Sequence, residues 1–287
     1  MTNQRCLYVL LHGPRESHED ILRDLVHPVA REIRGHPALD SLFYARFDQP
    51  DWQVRFRVLG LPDWIDGEVR QRVASRVEPL RERGLVNEVE LAEYQREYER
   101  YGGHEGMALA EKVFLHDSLA CLDLMEAERL GLLAKSRREF SMVLTERLLD
   151  LLDMDRSRKL VFYRYGHSWA LESGVWQDAE LRTLDERYRA LVPGLEELFQ
   201  VETNDEATLY GGEEPARIAR TFLAAMQPVM RELLATHAAG RISQDPGYLA
   251  WSYTHMQCNR LGIDPSAEAI LRYFMHRYHQ DHPAPEA

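Results

Sequence analysis

Apolar residues in the first hundred positions recur with two different periods, and the switching between them outlines a series of short strands and helices. Residues 6–12 form an apolar run closed by Gly13-Pro14, which fits a buried strand. A helix is predicted next: Ser17 is the candidate cap, and Ile21, Leu22, Leu25, Val26 and Val29 repeat at helical spacing up to a break at Gly35-His36-Pro37. Residues 42–47 and 52–58 read as the arms of a hairpin around residues 48–51. In the second arm, period-two alternation puts Trp52, Val54, Phe56 and Val58 on a core face and Gln53, Arg55 and Arg57 on an opposite, cationic face. A helix over 66–82 and a strand near 86–91 complete a β-α-β-β-α-β order, the pattern of a ferredoxin-like half.

From about Gly106 the texture changes to longer segments of helical period, over 107–133, 137–152, 179–191 and 216–236. The last pair is the most sharply bounded. A helix over 247–261 ends at Gly262, and Asp264-Pro265 supply a cap and a first-turn proline for a helix to about His279, with a frayed tail from His282. The predicted fold class is α+β: a β-rich, ferredoxin-like N-terminal part (1–103) packed against a mainly helical C-terminal part (104–287). With no repeat, low-complexity tract or linker, residues 1–287 read as a single domain.

Composition narrows the function classes. The 287 residues are 45% hydrophobic and 29% charged, which excludes disorder and fibrous folds. A formal charge of -12 argues against nucleic-acid binding, although a local arginine cluster can still take a small anion. Cys6, Cys121 and Cys258 form neither a CxxC pair nor an even disulfide set, there is no signal-like N-terminus, and no apolar stretch is long enough to span a bilayer. The expectation is a soluble, cytoplasmic protein with no membrane association. No histidine spacing fits a metal site, and no P-loop, GxGxxG or GxSxG motif occurs, so neither metal nor cofactor is expected.

Three clusters can carry chemistry. Arg55 and Arg57 would lie about 7 Å apart on one strand face, where two guanidinium groups can converge on a carboxylate or phosphate; alternating charges are equally the usual exposed face of an antiparallel strand. Residues 94–103, YQREYERYGG, are dense in tyrosine and arginine; if extended, the segment turns Arg96, Tyr98 and Arg100 to one side, and its glycine pair marks either a tight turn or a close approach of backbone to a ligand. The alternative is a salt-bridged surface segment. Finally, Tyr248, Ser252, His255 and Asn259 form a polar and aromatic stripe on an otherwise apolar helix. A histidine there is either a hydrogen-bonded core residue or a proton-transfer group.

In order and spacing these blocks resemble the elimination domain of lanthipeptide dehydratases, also known as the thiopeptide-type bacteriocin biosynthesis family. The resemblance is carried by Arg55-Phe-Arg57, by residues 94–103 with an acidic helix from Glu111 to Ser118 behind them, and by residues 255–261, HMQCNRL. It implies a lyase that acts on serine or threonine already esterified with glutamate in a ribosomally made precursor peptide. The α-proton is removed and glutamate expelled, leaving dehydroalanine or dehydrobutyrine. By resemblance Arg55, Arg57, Arg96 and His255 occupy the catalytic positions, with Arg100, Tyr98, Ser252 and Asn259 as substrate-binding candidates. Arginines suit the glutamyl carboxylates and imidazole suits proton movement; the α-proton acceptor is not assigned among them.

The departures shape the expected partners. Where family members often carry a histidine before the arginine pair, this chain has Trp52-Gln53. No glutamylation domain is recognisable in the 287 residues, so the resemblance implies a separate tRNA-dependent glutamylating subunit, a precursor peptide with its leader, and a homodimer. The scaffold also resembles the thiopeptide pyridine synthases, which join two dehydroalanines in a formal aza-[4+2] cycloaddition and release the leader peptide. Retention of both arginines, of RExERYGG and of the histidine favours glutamate elimination. A third reading is a non-catalytic subunit that presents the peptide.

Overall fold

A computed structural model describes residues 4–199 and 210–282. The chain separates into two compact units, one made of residues 1–126 with 259–262, the other of residues 127–258 with 263–287. The boundary lies well past the change of texture at 103/104, because most of the first long helix belongs with the sheet.

The first unit is built on strands β1 (Arg5–His12), β2 (Leu39–Phe47), β3 (Gln53–Gly60) and β4 (Glu88–Leu91), in sheet order β2-β3-β1-β4 with every neighbouring pair antiparallel. Helix α1 links β1 to β2 through His18–Ile21, a π-helical Leu22–Val26 and His27–Ile33. Helix α2 links β3 to β4 through Pro62–Trp64, a π-helical Ile65–Val69 and Arg70–Glu82. The apolar stripe Ile21, Leu22, Leu25, Val26 and Val29 is buried, as its spacing predicts. Ser17 does not act as a cap: it sits in a 3₁₀ turn with helical dihedrals, so its hydroxyl is not aimed at the free amides of the first turn.

Helix α3 (His104–Arg129) lies behind the long edge of β2. Tyr44 and Arg46 on that edge find side-chain partners instead of another strand. The Tyr44 N–H donates to Ser118 Oγ at 3.4 Å, and Arg260 Nε donates to the Tyr44 carbonyl at 3.0 Å. Asn259 Oδ1 accepts from the Arg46 N–H at 2.9 Å while its Nδ2 donates to the Arg46 carbonyl at 2.8 Å. Arg260 completes this attachment with an ion pair to Asp117 at 2.5 Å, both side chains being almost fully buried.

The second unit contains α4 (Arg137–Leu151), α5 (Arg156–Glu172), α6 (Asp178–Phe199), α7 (Glu213–Ala238), most of α8 (Pro246–Arg260) and α9 (Pro265–Asp281). Asp264 caps α9 by accepting from the Ala267 N–H, and Pro265 opens it, as the sequence predicts. Helix α5 was not expected, because exposed apolar residues such as Val161 and Tyr165 blur its period. Inside the unit, Glu146 accepts from Lys159 Nζ at 2.5 Å and Tyr163 Oη at 2.7 Å, with His279 Nε2 at 3.1 Å. Burial pushes the Glu146 carboxyl up, but His279 and Lys159 outweigh it and bring the group down to about 2.

Candidate functional site

Strand register builds the candidate group in the sheet unit. Arg57 faces Tyr8 across β1 and Phe43 across β2, so the three side chains share one row on one face of the sheet. The Arg57 guanidinium carbon lies 3.9 Å from the Tyr8 ring centre, 5.4 Å from that of Phe43 and 5.3 Å from that of Tyr94, which follows β4. The predicted cationic face is therefore not a solvated one. Burial pushes the Arg57 pKa below its usual value, Arg57 makes no hydrogen bond or ion pair among the described residues, and its buried Nε is unsatisfied. Aromatic faces offset part of the desolvation cost without supplying a counter-charge.

Arg55 does not converge with Arg57. Its guanidinium lies 3.5 Å over the Phe47 ring, its Nε donates to Gln53 Oε1 at 3.1 Å, and Nη2 reaches the Gln49 carbonyl at 3.4 Å, which draws the group toward the hairpin loop. Gln53, expected on the polar face, is fully buried because its amide closes that loop through Gln49 and Asp51. Trp52, expected in the core, lies just outside β3 and is 39% exposed, edge-on to His18.

Residues 98–103 form a turn and 94–97 are irregular rather than a strand, so the alternation that would align Arg96, Tyr98 and Arg100 is not present. The Tyr98 N–H donates to the Arg96 carbonyl and the Gly103 N–H to the Tyr98 carbonyl, while Gly102 and Gly103 take φ of 79° and 106°, as a glycine pair permits. Arg96 pairs with Glu111 of α3, Nε to Oε1 at 2.7 Å and Nη2 to Oε2 at 3.3 Å, and Nη2 also meets Gln4. Tyr98 packs on His104, and Arg100 reaches the exposed Glu97 at 3.1 Å. Beside the Arg57 cage opens a cleft of about 450 Å³ lined by Tyr8, Tyr94, Arg5, Arg70 and Arg96. Glu93 also lines it, and its arginines are already paired, Arg5 and Arg70 with Asp66 and Arg96 with Glu111, so an anionic ligand would have to share them.

A separate candidate group lies on α8 in the helical unit. His255 Nδ1 and Glu268 Oε2 are 2.7 Å apart, and Glu268 also accepts from Arg272 at 3.1 Å. Glu268 and Arg272 are almost completely buried, whereas the His255 side chain is 37% exposed. Burial raises the Glu268 pKa, but the His255 hydrogen bond and the Arg272 charge outweigh it and hold the carboxyl below its usual range. An ionised carboxylate at Nδ1 selects the Nδ1–H tautomer and leaves Nε2 as the nitrogen with a free lone pair. Trp251, one turn earlier, lies nearly parallel to the imidazole at 6.2 Å. Gly166 lets α5 approach this group, since a Cβ there would meet Arg272 Cγ at 2.7 Å and Trp251 Cζ3 at 3.0 Å.

The other stripe residues diverge. Ser252 is buried, Tyr248 is 43% exposed, and the Asn259 amide is engaged with the β2 backbone. Sequence reasoning missed Glu268; the signal available was its i,i+4 spacing to Arg272 on an otherwise apolar helix face.

The family described as "Lantibiotic biosynthesis dehydratase C-term" matches residues 7–279. The epidermin biosynthesis protein EpiB of Staphylococcus epidermidis is 22% identical over 265 residues, covering 90% of this chain and 24% of that protein. The subtilin biosynthesis protein SpaB of Bacillus subtilis is 29% identical over 120 residues, 42% of this chain and 12% of that protein. The chain thus spans a quarter or less of the curated relatives it matches. Among solved structures, the tRNA-dependent lantibiotic dehydratase MibB from Microbispora sp. 107891 superposes with a TM-score of 0.68 at 21% identity, over 98% of this chain and 28% of that one. The pyridine synthase TbtD from thiomuracin biosynthesis superposes with a TM-score of 0.69 at 14% identity, over 96% of this chain and 98% of its own.

Proposed function

Because this chain belongs to the lantibiotic biosynthesis dehydratase C-terminal family, we propose that it eliminates glutamate from glutamylated serine or threonine in a precursor peptide, as a lyase. The observation that carries the reading is Arg57, a largely buried guanidinium with aromatic faces around it and no carboxylate partner among the described residues. A buried cation left without a counter-charge is costly, and a glutamyl carboxylate would supply one. Arg96, already paired with Glu111, would orient the substrate more than neutralise it.

In the reaction the α C–H bond breaks, its electron pair forms the Cα–Cβ double bond, and the Cβ–O ester bond breaks to release glutamate as a carboxylate. His255 Nε2, with Nδ1 held by Glu268, is the group suited to accept the α-proton. Arg57 and Arg96 would hold the glutamyl anion and offset charge on the leaving group, and Arg55 would have to leave its hairpin-loop contacts to join them. Tyr98 and Arg100 stay in the reading as substrate contacts, whereas the buried Ser252 and the Asn259 amide, both of whose groups are held by the β2 backbone, would act by positioning α8. We further read the sheet as ferredoxin-like, the partners as a leader-bearing precursor peptide and a separate tRNA-dependent glutamylating subunit, the assembly as a homodimer and the location as cytoplasmic. No helix among the described residues is long and apolar enough to cross a membrane.

Purified protein incubated with an O-glutamyl-serine peptide tests the reading by mass: loss of glutamic acid is expected, and an unchanged adduct overturns it. The near end-to-end likeness to a pyridine synthase favours a second reading. A bis-dehydroalanine peptide distinguishes the two, since cyclisation would release leader and macrocycle.

A further inference from the structure

The helical unit carries an apolar cleft that glutamate recognition does not use. It encloses about 530 Å³ between α5 and the first turns of α8, with Val161, Phe162, Tyr165, Tyr248 and Trp251 among its walls. Val161 is 70% exposed and Tyr165 62%, so these side chains present apolar surface to the cleft and to solvent rather than to the core. The charged side chains that line it, Arg158 and Asp245, are of opposite sign and cancel. Gly247 stands at its mouth, where a Cβ would come within 2.9 Å of Asp245 Oδ1.

The cleft is continuous with the His255 group through one residue. Trp251 presents its ring to Tyr165 edge-on at 5.3 Å and lies along the His255 imidazole at 6.2 Å. One indole is thus both a wall of the cleft and a neighbour of the imidazole assigned to proton transfer. Tyr248 and Trp251 precede His255 by seven and four residues, about 6–10 Å along the helix axis. An extended peptide covers that span in about two to three residues.

We propose that this cleft is a specificity subsite for an apolar, preferably aromatic, side chain of the precursor peptide, two or three residues from the one being processed. The inference rests on the elimination reading for what is processed at His255. Its own content is the binding preference. The volume accommodates one large side chain with its flanking backbone, the ring-lined walls match an aromatic occupant, and Arg158 and Asp245 can hydrogen-bond the backbone amides on either side.

The test uses N-acetylated, C-amidated heptapeptides with a central O-glutamyl serine and Phe, Ala or Asp two or three positions to either side. Binding is measured by titration calorimetry and turnover by mass. The wild type is expected to prefer the Phe peptide over the Ala peptide about tenfold in Kd and in kcat/KM at one of these positions, with the Asp peptide weaker still. Val161→Glu and Tyr165→Glu, both at exposed positions that tolerate charge, are expected to collapse the Phe-to-Ala ratio to near one. Equal binding of the Phe and Ala peptides by the wild type, no binding of either, or an undiminished ratio in both variants overturns the subsite. Selective Phe binding without glutamate loss would instead sink the elimination reading and leave the subsite standing. A concentration-dependent dimer that Val161→Glu dissociates, with the peptide ratio unchanged, would assign the cleft to a second copy of the chain and overturn the proposal.

Discussion

The sheet of the first unit and the helices of the second each hold one side chain suited to the proposed reaction, and they compensate it in opposite ways. Arg57 is surrounded by the faces of Tyr8, Phe43 and Tyr94, which ease its desolvation but leave its charge intact. His255 is joined to a buried carboxylate, which fixes its tautomer and would stabilise the imidazolium formed when Nε2 takes a proton. Aromatic rings suit a group that must remain a cation for an incoming anion. A carboxylate suits a group whose charge must change during turnover.

Replacing these groups one at a time tests that contrast. His255→Ala is expected to lower glutamate release by about 10²–10⁴-fold, measured as single-turnover loss of the adduct mass. Arg57→Ala is expected to cost about 10²–10³-fold, and Arg57→Lys to restore little, because an ammonium neither stacks on Tyr8 nor grips a carboxylate with two donors. Wild-type turnover by both the His255 and Arg57 alanine variants would move the chain to the peptide-presenting role.

Glu268→Gln is expected to have a smaller effect, roughly tenfold, since the imidazolium formed in turnover loses its adjacent negative charge. It carries a stability signature as well. The lowered Glu268 pKa means that its contribution is present above the ordinary carboxylate range and is lost as pH falls through the folded value. Thermal melts of the variant should therefore lose less stability on acidification than those of the wild type. At the bottom of the scale, Arg100→Ala removes a partly exposed pair with Glu97 and a guanidinium contact on the Tyr101 ring, and should lower stability by about 1 kcal/mol or less. A large loss of activity there would show that the turn, not the sheet face, holds the substrate.

Much of this arrangement is legible in the sequence where a side chain's surroundings follow from local period. The α1 stripe, the core residues Val54, Phe56 and Val58, the Gly102-Gly103 turn and the Asp264-Pro265 helix start all depend on short-range geometry, and all stand as expected. What alternation could not give is what covers the second face of the sheet. Arg57 reads as solvated until Tyr94 is brought back over it by the segment after β4, and Arg55 reads as its twin until the hairpin loop draws it aside. Residues 94–103 alternate like a strand, but 94–97 are irregular and hydrogen bonds fold 98–103 into a turn. Helix α5 was overlooked because the apolar residues that obscure its period line the cleft instead of the core.

The fastening of β2 has a bearing on how the chain can be shortened. Residues 259–262 belong to the sheet unit although they are more than a hundred positions from its other members, and the Asn259 amide takes up both backbone groups of Arg46 as a one-residue strand would. A fragment ending before Asn259 would keep all four strands yet leave that backbone unsatisfied and Asp117 buried without its arginine. Such a fragment should self-associate through β2, and a peptide spanning residues 255–264, supplied in trans, should suppress that association.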